Sequence, residues 1–120
     1  KQGHKVEDLG TDGTSSVDYP IFAKAVCEKV LADKDSLGIL VCGTGIGMSM
    51  AANKLKGIRA ALCTNEYLAR LTRQHNNANI LCLGERNLGP DAALSIVDAF
   101  MDAEFEGDRH LRRIQLFDDC

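Results

Sequence analysis

Short apolar runs alternate with longer amphipathic segments along the 120-residue chain. Apolar runs of four to six residues are typical of strands, whereas apolar residues spaced by three or four positions are typical of helices. The pattern predicts strands at residues 6–9, 37–41, 59–63 and 79–83. It predicts helices at residues 19–32, 48–55, 66–75, 90–101 and 108–117. Alternating strands and helices predict an α/β fold with a parallel sheet.

Individual residues support several of these elements. Pro20 suits the first turn of its helix, and Asn65 is a candidate N-cap. Phe22, Val26 and Val30 recur at helical spacing, so they mark the buried face of the first helix. The run at 37–41 is continuously apolar, which is typical of a strand that is covered on both faces.

Composition and charge narrow the class of protein. The chain is 45% apolar and 26% charged, which predicts one globular domain over residues 1–120. The net charge of -3 argues against a nucleic-acid partner, which would favour a basic protein. The longest apolar run, residues 37–42, is too short to cross a membrane.

The cysteines indicate a reducing compartment. There are five, an odd number, and no two are separated by C-x-x-C spacing. We therefore expect free thiols in the cytoplasm, without a disulfide framework or a zinc site. Cys27, Cys63 and Cys82 are predicted in the core and Cys120 at a frayed terminus.

The strongest local signal is a glycine loop between a predicted strand and a predicted helix, Cys42-Gly-Thr-Gly-Ile-Gly-Met-Ser49. The carboxyl ends of strands in open parallel sheets bind ligands, and a helix start favours an anion. The alternative is a tight turn without a ligand. Cys42 is a candidate base or nucleophile, or else an inert packed thiol. Thr44 donates its hydroxyl into the loop, or else forms a local backbone bond.

Basic residues in the second half of the chain form a second set of candidates. His75 ends a predicted helix and is either an acid or base near neutral pH or a helix C-cap. Arg109 and Arg113 share a helical face, which suits a phosphate group but is also typical of a solvated surface.

The chain resembles the ribose-5-phosphate isomerase type B family, which also contains galactose-6-phosphate and allose-6-phosphate isomerases. The resemblance covers nearly the whole chain and is carried by the glycine loop and five further motifs. These are Val17-Asp-Tyr-Pro20, Ala51-Ala-Asn-Lys54, Gly57-Ile-Arg-Ala-Ala-Leu-Cys63, Ala69-Arg-Leu-Thr-Arg-Gln-His-Asn-Asn-Ala-Asn79 and Glu104-Phe-Glu-Gly-Asp-Arg-His110.

The resemblance implies a Rossmann-like three-layer α/β/α sandwich with a five-stranded parallel sheet. It implies reversible isomerisation of ribose 5-phosphate and ribulose 5-phosphate, without a metal or an organic cofactor. It also implies a homodimer, or a dimer of such dimers, whose active sites are shared between subunits.

The resemblance further implies a role for each matching residue. Cys42 moves a proton between C1 and C2 of the open sugar, and the glycine loop stabilises the enediolate through backbone N–H groups. The implied loop residues are Gly43, Gly45, Gly47 and Met48. Thr44 and His75 are implied in ring opening and Asn76 in substrate contacts. Tyr19 lines the sugar pocket, Arg109 and Arg113 bind the phosphate, and Arg86 joins from the neighbouring subunit.

Two departures from the family pattern stand out. The family chain starts with a strand and a Ser/Cys-Asp-His-Ala-Gly motif, which has no counterpart here, and we expect about 20–30 further N-terminal residues, one βα unit, in the encoded protein. Asp108 replaces the commoner glycine before Arg109. Two alternatives therefore stay open, a hexose-6-phosphate isomerase of the same family and a non-catalytic sugar-phosphate-binding module.

Overall fold

The computed structural model describes residues 4–10 and 18–118. Within these residues the chain forms five helices and three strands. In chain order they are α1 Tyr19–Ala32, β1 Gly38–Cys42, α2 Ile46–Ala52, β2 Ala60–Leu62, α3 Glu66–Asn76, β3 Ile80–Gly84, α4 Pro90–Asp102 and α5 Arg109–Asp118. Cys120 lies outside the described residues.

The three strands form one parallel sheet in the order β1-β3-β2. Cys42 is aligned with Gly84, and Leu62 is aligned with Cys82, so the carboxyl ends of all three strands lie at one edge of the sheet. Helices connect successive strands, as parallel pairing requires. The central strand, β3, is buried along its whole length.

Helices cover the two faces of the sheet, which gives the three-layer α/β/α arrangement that the resemblance implies. One core packs α1 and α2 against one face, and its buried side chains are Ala23, Cys27, Val30, Leu40, Met48, Ala52, Ile58, Ile80 and Cys82. The other packs α3 and α4 against the opposite face, with Cys63, Ala69, Ala78, Leu81, Leu83, Ile96 and Phe100. Helix α5 packs on α3.

The predicted strand at 6–9 is wrong. These residues have no regular secondary structure, and the Val6 side chain is exposed. A strand exists only by pairing with another strand, and no described strand lies beside this segment. Its apolar pattern alone therefore does not produce a strand.

The prediction that β1 is covered on both faces is also wrong for the described residues. Leu40 is buried against α1 and α2, but Ile39 and Val41 on the opposite face are 38% and 50% exposed. Because β1 is an edge strand of the described sheet, α3 and α4 reach over β3 without covering β1.

The predicted ends of α2 need correction. It begins at Ile46, two residues before the predicted start, and ends at Ala52 instead of residue 55. The Lys54 and Leu55 N–H groups donate to the carbonyls of Ala51 and Ala52, three residues earlier. This spacing is that of a 3₁₀ turn, so the α-helix has ended by this point.

The predicted cap of α3 is confirmed, because the Asn65 side chain accepts a hydrogen bond from the Leu68 N–H at 2.9 Å. Along the part of the chain that the structure describes, no helix is both long enough and apolar enough to cross a membrane.

Candidate functional site

The glycine loop has the tight geometry that its sequence indicates. Gly45 has a φ of +83°, in the left-handed region that favours glycine. A Cβ atom at this position would lie 2.5 Å from Leu62 Cδ1 and 3.0 Å from the carbonyl carbon of Leu83. The loop is therefore packed directly against β2 and β3, and only glycine fits at its centre.

The Cys42 thiol faces this loop. The Gly45 N–H donates a hydrogen bond to Cys42 Sγ at 3.2 Å, and the Cys42 carbonyl accepts one from the Glu85 N–H at 2.9 Å. The side chain is half-buried at the start of α2. Cys42 is thus held by its backbone while its sulfur stays within reach of a ligand in the loop.

The other three described cysteines have a different environment. Cys27, Cys63 and Cys82 are buried, as predicted. Burial raises the pKa of Cys27 and Cys63 to about 11 and that of Cys82 to about 12. These thiols are protonated at neutral pH, so they are packing residues.

Backbone N–H groups at the start of α2 give the loop its capacity to bind an anion. Thr44 forms the local bond that the sequence left open, because its Oγ1 accepts the Ile46 N–H at 3.3 Å. The first helical bond runs from the Ser49 N–H to the Gly45 carbonyl. Gly47 and Met48 therefore carry N–H groups that the helix itself does not satisfy.

Tyr19 and Arg86 lie on two sides of the loop. A Cβ atom at Gly47 would lie 2.5 Å from the Tyr19 hydroxyl oxygen, and one at Gly43 would lie 3.1 Å from the Arg86 guanidinium carbon. The backbone N–H of Arg86 donates to the Gly43 carbonyl at 2.9 Å. Arg86 thus lies at the same loop as Cys42 of its own chain.

A second group of candidates forms around the C-terminal end of α3. The ring of His75 stacks on that of His110 in α5, with centroids 4.3 Å apart and planes 9° from parallel. Glu106 Oε1 lies 3.8 Å from His75 Nε2 and 3.7 Å from His110 Nε2. Desolvation, followed by the nearby His75 and Arg109, lowers the pKa of His110.

Two arginines of α5 lie close to this pair of histidines. Arg109 and Arg113 are one helical turn apart and exposed, and neither pairs with a carboxylate among the described residues. The helix starts after Gly107 and Asp108, which have φ angles of +74° and +53°. The left-handed conformation of Asp108 explains why glycine suits this position.

Asn76 is exposed at the last position of α3. It lines a cavity of about 550 Å³ whose other walls include Arg59, Phe117 and Asp118. Arg59 donates to Asp118 Oδ2 at 3.1 Å and to the Asn77 carbonyl at 2.9 Å, so its charge is already neutralised. Most of the cavity lining comes from residues 53–61, between the end of α2 and β2, and none comes from the glycine loop.

The candidate residues thus fall into two groups at opposite edges of the sheet. The carboxyl-edge group contains Cys42, Gly43, Thr44, Gly45, Gly47, Met48, Tyr19 and Arg86. The amino-edge group contains His75, Asn76, Arg109 and Arg113.

The path of α3 sets the separation between the groups. It starts after the carboxyl end of β2 and ends just before the amino end of β3. Eleven helical residues span about 16 Å. Cys42 and His75 therefore do not meet within one copy of the chain.

Sequence reasoning gave no role to Glu106 or His110, which the structure places against His75. The signal that could have found them is their spacing of four residues in the sequence. Their contact with His75 depends on the path of residues 103–108, where the Glu106 N–H donates to the Gln74 carbonyl at 3.0 Å.

Known proteins match nearly the whole chain. The family described as Ribose/Galactose Isomerase matches residues 1–117. Ribose-5-phosphate isomerase B of Escherichia coli is 45% identical over 115 residues, which cover 96% of this chain and 77% of that protein.

Solved structures agree with this match. A ribose 5-phosphate isomerase from Thermotoga maritima has a TM-score of 0.95 at 52% identity, covering 99% of this chain and 82% of its own. The Mycoplasma genitalium ribose-5-phosphate isomerase B, solved with bound ribulose-5-phosphate, has a TM-score of 0.89 at 50% identity. That match covers 93% of this chain and 75% of the other.

Proposed function

The chain belongs to the Ribose/Galactose Isomerase family of enzymes, within its ribose-5-phosphate isomerase type B members, and we propose that it interconverts ribose 5-phosphate and ribulose 5-phosphate. The single observation that carries the proposal is the Cys42 sulfur beside the Gly45 N–H at the start of a glycine loop. This is a proton carrier held next to backbone donors, which is what an aldose–ketose isomerase requires.

In the proposed reaction, Cys42 takes the proton from C2 of the open-chain aldose. The electrons of the C–H bond form the C1–C2 double bond, and the C1 carbonyl oxygen becomes an enediolate oxyanion. The N–H groups of the glycine loop, Gly43 to Met48, stabilise that charge, and those of Gly47 and Met48 are left unsatisfied by the helix itself. The O2 hydroxyl gives its proton to the O1 oxyanion as the C2 carbonyl forms, and Cys42 returns its proton to C1.

The remaining candidates prepare the substrate. His75 and Thr44 open the sugar ring by moving a proton between the ring oxygen and the anomeric hydroxyl, and Asn76 contacts the sugar hydroxyls. Arg109 and Arg113 hold the phosphate with charge-assisted hydrogen bonds, to which Arg86 adds a third guanidinium. Tyr19, whose hydroxyl lies against Gly47, forms a wall of the sugar pocket.

We further propose that the site is assembled from two copies of the chain in a homodimer, as the resemblance implies. Support comes from the opposite positions of the two groups, because a proton carrier and a phosphate clamp at opposite edges cannot serve one small sugar phosphate. In a two-fold dimer, the carboxyl-edge group of one copy faces the amino-edge group of the other. The cytoplasm, which keeps the Cys42 thiol reduced, is the expected location.

The test is steady-state turnover of ribose 5-phosphate by the wild type, Cys42→Ser and the control Cys63→Ala. Loss of a positioned base lowers kcat by about two to four powers of ten, whereas KM changes little. Cys63→Ala, once its fold is verified by circular dichroism, keeps near-normal turnover because Cys63 faces the core.

Near-normal turnover by Cys42→Ser would refute the assignment of the base. The same assay with hexose 6-phosphates distinguishes the alternatives. Turnover of a hexose phosphate alone would indicate a hexose-phosphate isomerase, and binding without turnover of any sugar would indicate a non-catalytic module.

A further inference from the structure

We propose that His75, Glu106 and His110 form a binding site for a divalent transition-metal ion of the zinc type, and that its occupation inhibits the enzyme. The metal-binding half of this inference is independent of the proposed function, whereas the inhibitory half rests on it. No such ion has a part in the proposed reaction.

The three side chains supply a suitable set of donor atoms. Two imidazole nitrogens and one carboxylate oxygen all lie within 4.8 Å of one another, and the two shorter separations are 3.7 and 3.8 Å. Around tetrahedral zinc, ligands at about 2.0–2.2 Å from the ion are roughly 3.3–3.5 Å apart. Glu106, whose side chain is 51% exposed, therefore needs to approach each histidine by only a few tenths of an ångström. The two imidazole nitrogens, within 4.8 Å of each other, need to close by up to about 1.3 Å.

His110 gives independent support. Its side chain is only 7% exposed, and its Nε2 atom is buried without a hydrogen-bond partner in the described structure. Buried polar atoms are normally satisfied, and a metal ion would satisfy this one.

One rearrangement is needed. The two rings are stacked nearly parallel, so an ion in the plane of one ring lies out of the plane of the other. His75 is the ring that can tilt, because its side chain is 36% exposed at the end of α3. His110 stays fixed by its burial, and the Glu106 backbone is fixed by its bond to Gln74.

The surrounding charge limits which ions bind. Arg109 and Arg113 carry positive charge on the same helix as His110, which weakens the binding of any cation. Ions that prefer imidazole, such as Zn²⁺, Cu²⁺ and Ni²⁺, gain enough from the two nitrogens to overcome this repulsion. Mg²⁺ and Ca²⁺ prefer oxygen ligands and find only one carboxylate.

Inhibition follows from competition for a single lone pair. In the proposed function, the His75 imidazole exchanges a proton with the substrate. An ion bound at Nε2 occupies the lone pair that would accept this proton. The bound cation also holds the ring in its tilted orientation.

The binding test is isothermal titration of Zn²⁺ into metal-free protein in the Cys42→Ser background, which removes the accessible thiol. We expect one Zn²⁺ per chain. His110→Ala weakens binding by more than about 100-fold, which exceeds the loss from removing a partner outside the ligand shell. Glu106→Gln weakens it less. His4→Ala and Glu104→Gln, at exposed positions, are the matched controls and bind as the parent does.

Absence of Zn²⁺ binding to the parent, or unchanged binding by both Glu106→Gln and a folded His110→Ala, would overturn the site. For inhibition, ribose 5-phosphate turnover by wild-type protein falls at Zn²⁺ concentrations that the His110→Ala variant tolerates. Equal inhibition of the wild type and the His110→Ala variant would overturn the inhibitory half of the proposal. If the wild type turns over no sugar phosphate, the proposed function fails, but the titration still decides whether the site exists.

Discussion

Cys42 differs from the other described cysteines in its exposure to solvent. Cys42 is half-buried at the glycine loop, whereas Cys27, Cys63 and Cys82 are buried in the two cores. Because the thiolate is the reactive form, the raised pKa values of the buried thiols add to their inaccessibility.

Labelling of the native protein with a maleimide should therefore modify Cys42 and spare these three residues. Peptide mass spectrometry identifies each modified site and distinguishes labelling of Cys120 from labelling of Cys42. Unfolding in guanidinium is the control and should make all five cysteines reactive. Labelling of Cys82 before Cys42 in the native state would contradict the cores described above.

The same pKa values predict how stability changes in alkali. A folded-state pKa of about 11 or 12, above the ordinary value of 9.0, means that the unfolded chain releases these protons first. The native state then binds more protons, so the free energy of unfolding falls as pH rises. The contribution of the thiols is fully present below pH 9 and is lost between about pH 9 and 12.

Urea unfolding at a series of pH values measures this decline. Cys82→Ala should show a shallower decline than the wild type, because one buried thiol no longer titrates. Equal slopes for the two proteins would show that Cys82 ionises alike in the folded and unfolded states.

The burial of single residues was predicted well where the neighbouring sequence determined it. The apolar surroundings of Cys27, Cys63 and Cys82 in the sequence were sufficient to place them in the core. The contact of His110 and Glu106 with His75 was missed, because it depends on how residues 103–108 return to the end of α3. That path is a tertiary property, and no local pattern in the segment encodes it.

Among the elements, the strand-to-helix turn from β1 to α2 imposes the strictest demand on its sequence. Gly45→Ala should lower the free energy of unfolding by about 1–2 kcal/mol for the left-handed backbone alone. The new Cβ would also press against Leu62 and Leu83. Because the Gly45 N–H contacts Cys42, we expect turnover to fall as well.

Gly89→Ala is the matched control. Gly89 has a φ of −75°, and a Cβ atom there meets no described atom within 4 Å. Urea unfolding should give it near wild-type stability. If Gly45→Ala were as stable as Gly89→Ala, the loop would not have the geometry described here.

Elements with local signals were predicted closely. Tyr19–Ala32 matches its predicted bounds because Pro20, the apolar spacing and the end of the periodic pattern all act locally. The segment 6–9 failed because strand formation depends on a partner elsewhere in the chain. The exposure of Ile39 and Val41 has the same origin, since an apolar run does not determine which elements pack against it.

At the scale of the whole molecule, the parallel connections place the two groups of candidate residues at opposite edges. Sequence motifs identify both groups, but the separation between them follows only from the order of the elements in space. We therefore expect Cys42 of one copy and His75 of another to complete one site.

Co-expression of two inactive variants, Cys42→Ala and His75→Ala, with different affinity tags tests whether two chains share one site. Tandem purification isolates the mixed dimer, and ribose 5-phosphate turnover is measured against wild type and each variant alone. In a two-fold dimer, one mixed site combines an intact Cys42 with an intact His75, and the other site lacks both. A site shared between two chains predicts about half of wild-type turnover for the mixed dimer, with each variant alone nearly inactive. A mixed dimer no more active than its parent variants would contradict a site shared between two chains.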